Sequence, residues 1–288
     1  MGFIAPAKLN LFLRVADRRA DGFYNLASLV VFCAHGDELT LTPAAALELE
    51  WHGPFAHQRP QHDLLLETAT QFARATGQAT NFRITLTKNL PSGAGLGGAS
   101  SDAATLLLAL NEIWELHWPL EKLADWAIRL GSDVPVCLYR QPMRVEGRGE
   151  QLTPLPALPT LPLVLLNCDV PVPTADVFAA YRQPPAPPPQ FSWPDFKDIT
   201  QDGLIKMLKT QQNDLTAAAQ TLCPDIGDAL TALAAQPGCL LSRMSGSGAT
   251  CFGIFKTTEE AQQATTEIAA WQPGWWLCLT QTEDFRQP

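Results

Sequence analysis

Between Pro91 and Leu110 the chain reads "PSGAGLGGASSDAATLLLAL", four glycines and three serines running directly into an apolar helix pattern. From residue 100 to 115 the apolar positions fall almost all round the helix. Such a helix has no solvated face and must lie centrally, covered on several sides. The glycines before it limit the fold further. A helix leaves its first N–H groups without intrahelical partners and carries about half a positive charge at that end. Glycines let the preceding backbone curl so that several N–H groups converge on one anion. Residues 93–101 are therefore a candidate phosphate cradle. Alternatively the glycines permit close helix–strand packing, with Ser100, Ser101 or Asp102 as the N-cap.

The pattern argues against three familiar phosphate loops. No Lys-Ser/Thr pair follows the glycines, so this is not a Walker A loop. Gly93, Gly95 and Gly98 spell G-x-G-x-x-G, but the acids downstream, Glu112 and Glu115, lie on the same helix. A dinucleotide site needs its acid at the end of a second strand. The later signatures of a protein-kinase loop are also absent.

Around this stretch the periodicity alternates between strands and helices. "AKLNLFLRV" (7–15) has period two, with Leu9, Leu11, Leu13 and Val15 on one face and Lys8, Asn10, Phe12 and Arg14 on the other. Strands are predicted at 37–43, 82–89, 163–167 and 275–281, and "RMSGSGATCFGIF" (243–255) reads as a glycine turn feeding a strand. Helices are predicted at 64–77, 119–131, 202–211, 213–222 and 258–270. A proline-rich connection occupies 183–190. The texture changes near residue 150, which places a boundary between domains 1–150 and 151–288. These elements define an α/β (α+β) chain.

With 288 residues, 46% of them hydrophobic, the chain can bury a large core without staples. A net charge of −9 without a basic block argues against nucleic-acid binding. Seven cysteines at 33, 137, 168, 223, 239, 251 and 278, with no C-x-x-C pair, read as reduced thiols. The five histidines show no zinc-ligand spacing. No signal-peptide pattern and no apolar run near the ~20 residues of a membrane span appear. A cytoplasmic enzyme with no membrane partner is expected.

The stretch P-x-G-A-G-L-G-G-A-S-S-D-A-A resembles the second motif of the GHMP small-molecule kinases. "PAKLNLFL" resembles their first motif and "SGSGATCFGIF" their third. "RADGF", "LGSDVP", "GRGEQLTPL", "PVPTADVF" and "QNDL" follow one branch of that family in order, so the resemblance spans essentially the whole chain. It implies a two-lobed fold, with an N-terminal lobe like ribosomal protein S5 and a ferredoxin-like C-terminal lobe. The last strand would return to the first lobe. It implies ATP with Mg2+ as phosphoryl donor and a small-molecule alcohol as acceptor. In the branch concerned, the acceptor is the 2-hydroxyl of a cytidine diphosphate-linked methylerythritol. Another GHMP kinase acting on a sugar or isoprenoid alcohol is the nearest alternative. A non-catalytic nucleotide-binding protein is a remote one, and a monomer or weak homodimer is expected.

The resemblance also assigns residues. Lys88 and the loop Pro91, Ser92, Gly93, Ala94, Gly95, Leu96, Gly97, Gly98, Ala99, Ser100 and Ser101 would bind ATP. Asp133 would be the catalytic base and Lys8 its partner. Asn10, Phe23, Tyr24, Thr174 and Phe178 would bind substrate, with Phe23 and Phe178 as aromatic plates for the cytosine. Asp102 is left as a helix cap or a magnesium-holding group, and no metal ligand is assigned. Two departures touch base recognition. Tyr24 stands where the family has histidine, and Leu64 where it tends to have asparagine near adenine.

Overall fold

The structure, a computed structural model, describes residues 2–181 and 193–285. The predicted proline-rich connection at 183–190 lies outside the described residues. The chain divides into two compact units, neither continuous in sequence. The first comprises residues up to Lys8, His35–Ser92 and Gly97–Arg140; the second comprises Leu9–Ala34, Gly93–Leu96 and everything from Gln141 onward. Strands β1 (Gly2–Arg18) and β2 (Tyr24–Pro43) pass through both.

In the first unit, β3 (Glu48–His52) runs parallel to β4 (Phe82–Thr87), which pairs antiparallel with the second half of β2 from Glu38↔Thr87 to Pro43↔Phe82. Four helices complete the unit: α1 (Leu64–Thr76), α2 (Gly98–Ile113), α3 (Leu120–Ala127) and α4 (Val134–Tyr139). α1 keeps its predicted ends. Asp63 accepts the N–H of Leu65, and Gly77 closes the helix in the left-handed region, its N–H bonded to the Ala73 carbonyl. α2 is as central as its sequence demands. Ala103, Ala104, Leu106 and Leu107 are fully buried, and α1 and α4 both pack on it.

The second unit adds β5 (Met143–Gly147), β6 (Gln151–Pro154), β7 (Pro162–Asn167), α5 (Thr174–Ala180), α6 (Gln201–Lys209), α7 (Thr216–Leu222), α8 (Asp225–Ala234), β8 (Cys239–Met244), β9 (Cys251–Phe255), α9 (Thr258–Trp271) and β10 (Trp276–Glu283). Its strands pair antiparallel in the order β2-β10-β7-β9-β8, and β5 joins β2 to β6. The last strand meets β2 at Thr282↔Cys33. The core gathers Val164, Leu166, Phe255, Leu233, Ile226 and Ile268. α9 opens with a reciprocal capping box between Thr257 and Glu260.

Three differences from the sequence reading have physical causes. β1 is covered on both faces, so Lys8 and Asn10 are buried along with the leucines rather than lying on a polar face. Polar groups placed there must find partners inside the protein. β2 begins at Tyr24 instead of 37, because "LASLVVFCA" has no alternation to mark it as a strand. α3 stops at Ala127, short of Gly131, and α4 starts anew at Val134.

Candidate active site

Within the first unit, the glycine stretch delivers its last residues to the amino end of α2. Gly97 is the N-cap, with φ of 63°. Space as well as conformation demands glycine here. A Cβ at Gly97 would stand 3.0 Å from Lys8 Cε and 3.1 Å from Lys8 Cβ, so the lysine lies along the start of the helix. Lys8 Nζ donates to Asp133 Oδ2 at 2.7 Å, across 125 residues of sequence. The lysine side chain is 6% exposed and the aspartate side chain 45% exposed. Asp133 holds the N-cap position of α4 but makes no side-chain cap bond, which leaves its carboxylate for Lys8. The two residues assigned to catalysis are thus brought together.

A second lysine–aspartate cluster lies in the same unit and is fully buried. Lys88 Nζ donates to Asp37 Oδ2 and, at 2.9 Å, to Asp102 Oδ2. Asp37 Oδ1 accepts the backbone N–H groups of Asn89 at 2.7 Å and Leu90 at 2.9 Å. This corrects three expectations. Lys88, expected to bind ATP, is instead enclosed: its side chain is 2% exposed and its ammonium is held between two carboxylates. Asp102 is not the helix cap, because α2 begins earlier, at Gly98, and buries the aspartate in its second turn. Ser101 turns its hydroxyl inward to the Pro6 carbonyl at 2.7 Å, so it offers no hydroxyl to a phosphate. Ser100 and Ala99 keep accessible surface, and Ser92 already gives its N–H to Gln58.

In the second unit, residues 93–96 meet the other glycine-rich turn. The Ser245 hydroxyl donates to Gly95 O at 2.9 Å, and Thr250 N–H donates to Ala94 O at 3.1 Å. Gly95, with φ of 74°, cannot carry a side chain, since its Cβ would lie 2.4 Å from the Ser245 carbonyl oxygen. Ala94 and Leu96 point into the core and anchor the loop. Asn10 gives its backbone N–H to Ser245 Oγ at 3.1 Å and its side-chain amide to Ser28 Oγ at 2.7 Å. Its carboxamide is therefore engaged within the protein.

The "QNDL" segment, to which the sequence attached no role, braces the same turn. Asn213 donates to Met244 O and Gly246 O, both at 2.8 Å, and accepts from Leu215 N–H. Asp214 accepts from Val15 N–H and Arg14 Nε. An Asn-Asp pair at the start of the helix predicted over 213–222, which in fact begins only at Thr216, was the available signal.

The aromatic residues are arranged differently from the two expected plates. Tyr24 stacks directly on Phe178, with centroids 5.5 Å apart and planes 24° apart, and meets Tyr181 edge-on. A ring inserted between two plates needs about 7 Å, so that face of Phe178 is already covered. Phe23 is 54% exposed, with the Arg148 guanidinium 5.4 Å from its ring centroid. Thr174 opens α5 one turn before Phe178, and its hydroxyl lies 2.8 Å from that of Ser247. Leu64 is the first residue of α1 and partly buried.

Residues 63–141 match the family model for the GHMP kinases N terminal domain and residues 196–273 that for GHMP kinases C terminal; the chain belongs to the GHMP kinase family. Its relatives within that family are specific. It is 45% identical to a 4-diphosphocytidyl-2-C-methyl-D-erythritol kinase of Paramagnetospirillum magneticum, over 96% of each chain. It is 47% identical to one of Cereibacter sphaeroides, over 95% of this chain and 96% of that one. A crystal structure of 4-(cytidine 5'-diphospho)-2C-methyl-D-erythritol kinase superposes with a TM-score of 0.78 at 33% identity, covering 98% of this chain and 100% of the other.

Proposed function

We propose that this chain transfers the γ-phosphoryl group of ATP to the 2-hydroxyl of 4-diphosphocytidyl-2-C-methyl-D-erythritol, giving the 2-phosphate and ADP. The observation that carries the reading is the Lys8–Asp133 contact of 2.7 Å beside the glycine-led start of α2. The relatives supply the acceptor's identity by their names.

Phosphoryl transfer asks the protein for positioning and charge stabilisation rather than covalent chemistry. The amino end of α2 supplies oriented N–H groups and the positive end of a helix dipole. Glycines admit a phosphate close to that backbone, and a Cβ built at Gly93 would meet nothing within 4 Å. Asp133 uses Oδ2 for Lys8 and has Oδ1 to take the hydroxyl proton. As the hydroxyl oxygen forms its bond to the γ-phosphorus, the O–H bond breaks toward Asp133 and the bridging P–O bond breaks toward ADP. Lys8 fixes the carboxylate and opposes the negative charge of the transferring group.

Among the described residues no group of three or more His, Cys, Asp or Glu could hold a metal ion. Mg2+ commonly binds through substrate phosphates and water with few protein ligands. We assign it to the nucleotide phosphates, with its protein ligands left unassigned. Seven unpaired cysteines support a reducing, cytoplasmic setting, and we place the enzyme there as a monomer or weak homodimer. Among the described residues no helix is long and apolar enough to cross a membrane.

The Tyr24–Phe178 stack favours keeping one second reading, a GHMP kinase with another alcohol as acceptor. Purified protein with ATP and a panel of the cytidine compound, sugars and isoprenoid alcohols decides between them. Phosphorus NMR should show a new phosphomonoester on the cytidine compound. Turnover of a different alcohol, with none of the cytidine compound, would overturn the proposal.

A further inference from the structure

The buried cluster Asp37–Lys88–Asp102 has no place in phosphoryl transfer itself, yet it lies at both ends of the glycine loop. Asp37 on β2 grips the N–H groups of Asn89 and Leu90, the residues that enter the loop. Asp102 belongs to α2, the helix that leaves it. Lys88 bridges the two. The cluster packs directly under the first residue of that helix: a Cβ at Gly98 would lie 3.0 Å from Lys88 Nζ and 3.5 Å from Asp37 Oδ2.

The charges in this cluster do not balance if both acids are ionised. Two carboxylates and one ammonium, all almost fully buried, would leave one net negative charge in the interior. The two acids are not equivalent. Asp37 has three donors to satisfy a full charge: two backbone N–H groups and Lys88. Asp102 receives Lys88 alone, and its Oδ1, although buried, has no hydrogen-bond partner. A proton on Asp102 removes the net charge and creates a donor that can bond to the Asp37 carboxylate.

We propose that Asp102 is a positioning residue acting as a neutral carboxylic acid: it accepts from Lys88, donates to Asp37, and so ties the segment entering the glycine loop to the helix leaving it. This rests on the reading of that loop as the ATP site. Electrostatics points the same way. Burial first, then the charge of Asp37 and a hydrogen bond to it, push the Asp102 carboxyl up to about 8 against the opposing pull of Lys88. The groups facing Asp102 are Lys88 after β4, Asp37 on β2 and Cys137 on α4, a thiol that burial keeps neutral. Arg140, just after α4, reaches α2 one turn further on, at Thr105.

Asp102→Asn carries the same shape without a charge, its amide donating to Asp37 and its carbonyl accepting from Lys88. The test compares the full-length wild type, D102N and D102A from pH 5 to 9.5. Thermal unfolding is followed without ligand, and ATP affinity is followed by calorimetry. At pH 7, D102N should bind ATP within about threefold of wild type and D102A at least about tenfold more weakly, since alanine removes both of the hydrogen bonds assigned to Asp102.

The sign of the pH dependence follows from the raised folded-state value. The native state holds a proton that the unfolded state releases near pH 4, so wild-type stability falls relative to D102N as pH rises to about 8, then levels. Wild-type ATP affinity should fall above about pH 8 while that of D102N stays flat. A D102N protein that fails to fold, behaves like D102A or keeps the wild-type pH profile would overturn the proposal. If wild type binds no ATP at any pH, the kinase reading fails instead, and the unfolding profiles still decide the role of Asp102.

Discussion

Two lysines in the first unit, Lys8 and Lys88, make the same contact with opposite consequences. Each ammonium is nearly inaccessible and each is bonded to aspartate. Lys8 meets an acid that keeps 45% of its side-chain surface, whereas the two acids around Lys88 keep 0% and 3%. An acid that takes a proton from a substrate must reach that substrate, so only Asp133 qualifies. The enclosed pair cannot touch a ligand and serves by holding backbone in place. Accessibility of the carboxylate, rather than the presence of an ion pair, separates chemistry from architecture here.

The most direct way to break this contrast is Asp133→Asn. It keeps the shape and removes the base, and turnover should fall by about 10²–10⁴-fold, the usual worth of a positioned general base. ATP affinity measured by calorimetry should stay close to wild type. A loss of turnover smaller than tenfold would remove Asp133 from the mechanism.

Lys88→Met should show the converse pattern, with its main effect on stability. Two buried acids lose their common cation, and unfolding in urea should register a loss of about 3–5 kcal/mol. Lys8→Met should cost less stability, because water can solvate the half-exposed Asp133, but it should abolish turnover. Equal stability losses for the two variants would mean that the difference in burial has no energetic weight.

Sequence reading recovered some elements that local chemistry marks and missed others, such as β3 and α8. α1 was legible from Leu64 to its stop at Gly77 because its apolar period and its stop lie within the helix's own sequence, while the Asp63 cap went unread. The central position of α2 was legible from its unbroken apolar surface. Lys88 was not legible. Its partners lie 51 and 14 residues away, and no local pattern says that a lysine just after a strand will be enclosed by them. Asp102 misled for a related reason. An aspartate after serines looks like a cap, but Gly97 takes the left-handed N-cap position and the helix starts four residues before the acid. The Lys8–Asp133 pair, 125 residues apart, became visible only through the family resemblance. The Tyr24–Phe178 stack was missed because adjacent aromatics do not reveal which ring turns inward.

Gly97→Ala would sharpen the contrast at smaller amplitude, since it perturbs Lys8 without removing it. The left-handed conformation costs a residue with a Cβ about 1–2 kcal/mol. The new methyl would also press on Lys8 Cε from 3.0 Å. Stability should drop by about that amount in urea unfolding. Turnover should fall further than stability alone explains, because Lys8 must move away from Asp133. A variant with the stability loss but wild-type turnover would show that Lys8 need not be held so closely.

The smallest effect belongs to the aromatic stack in the second unit, which tests whether the rule of enclosure extends beyond ions. Tyr24 and Phe178 face each other at 5.5 Å, so each ring fills the place where a nucleobase would otherwise stack on the other. If the stack is architecture, Tyr24→Leu and Phe178→Leu should couple by about 0.5–1.5 kcal/mol in a double-mutant cycle of unfolding free energies. The coupling should persist unchanged when a cytidine nucleotide is added. If the base instead parts the rings on binding, the coupling should shrink as nucleotide saturates the protein. The exposed Phe23, beside Arg148, has no inward ring to displace. Phe23→Leu should therefore leave stability within about 0.5 kcal/mol of wild type, as expected for a surface substitution.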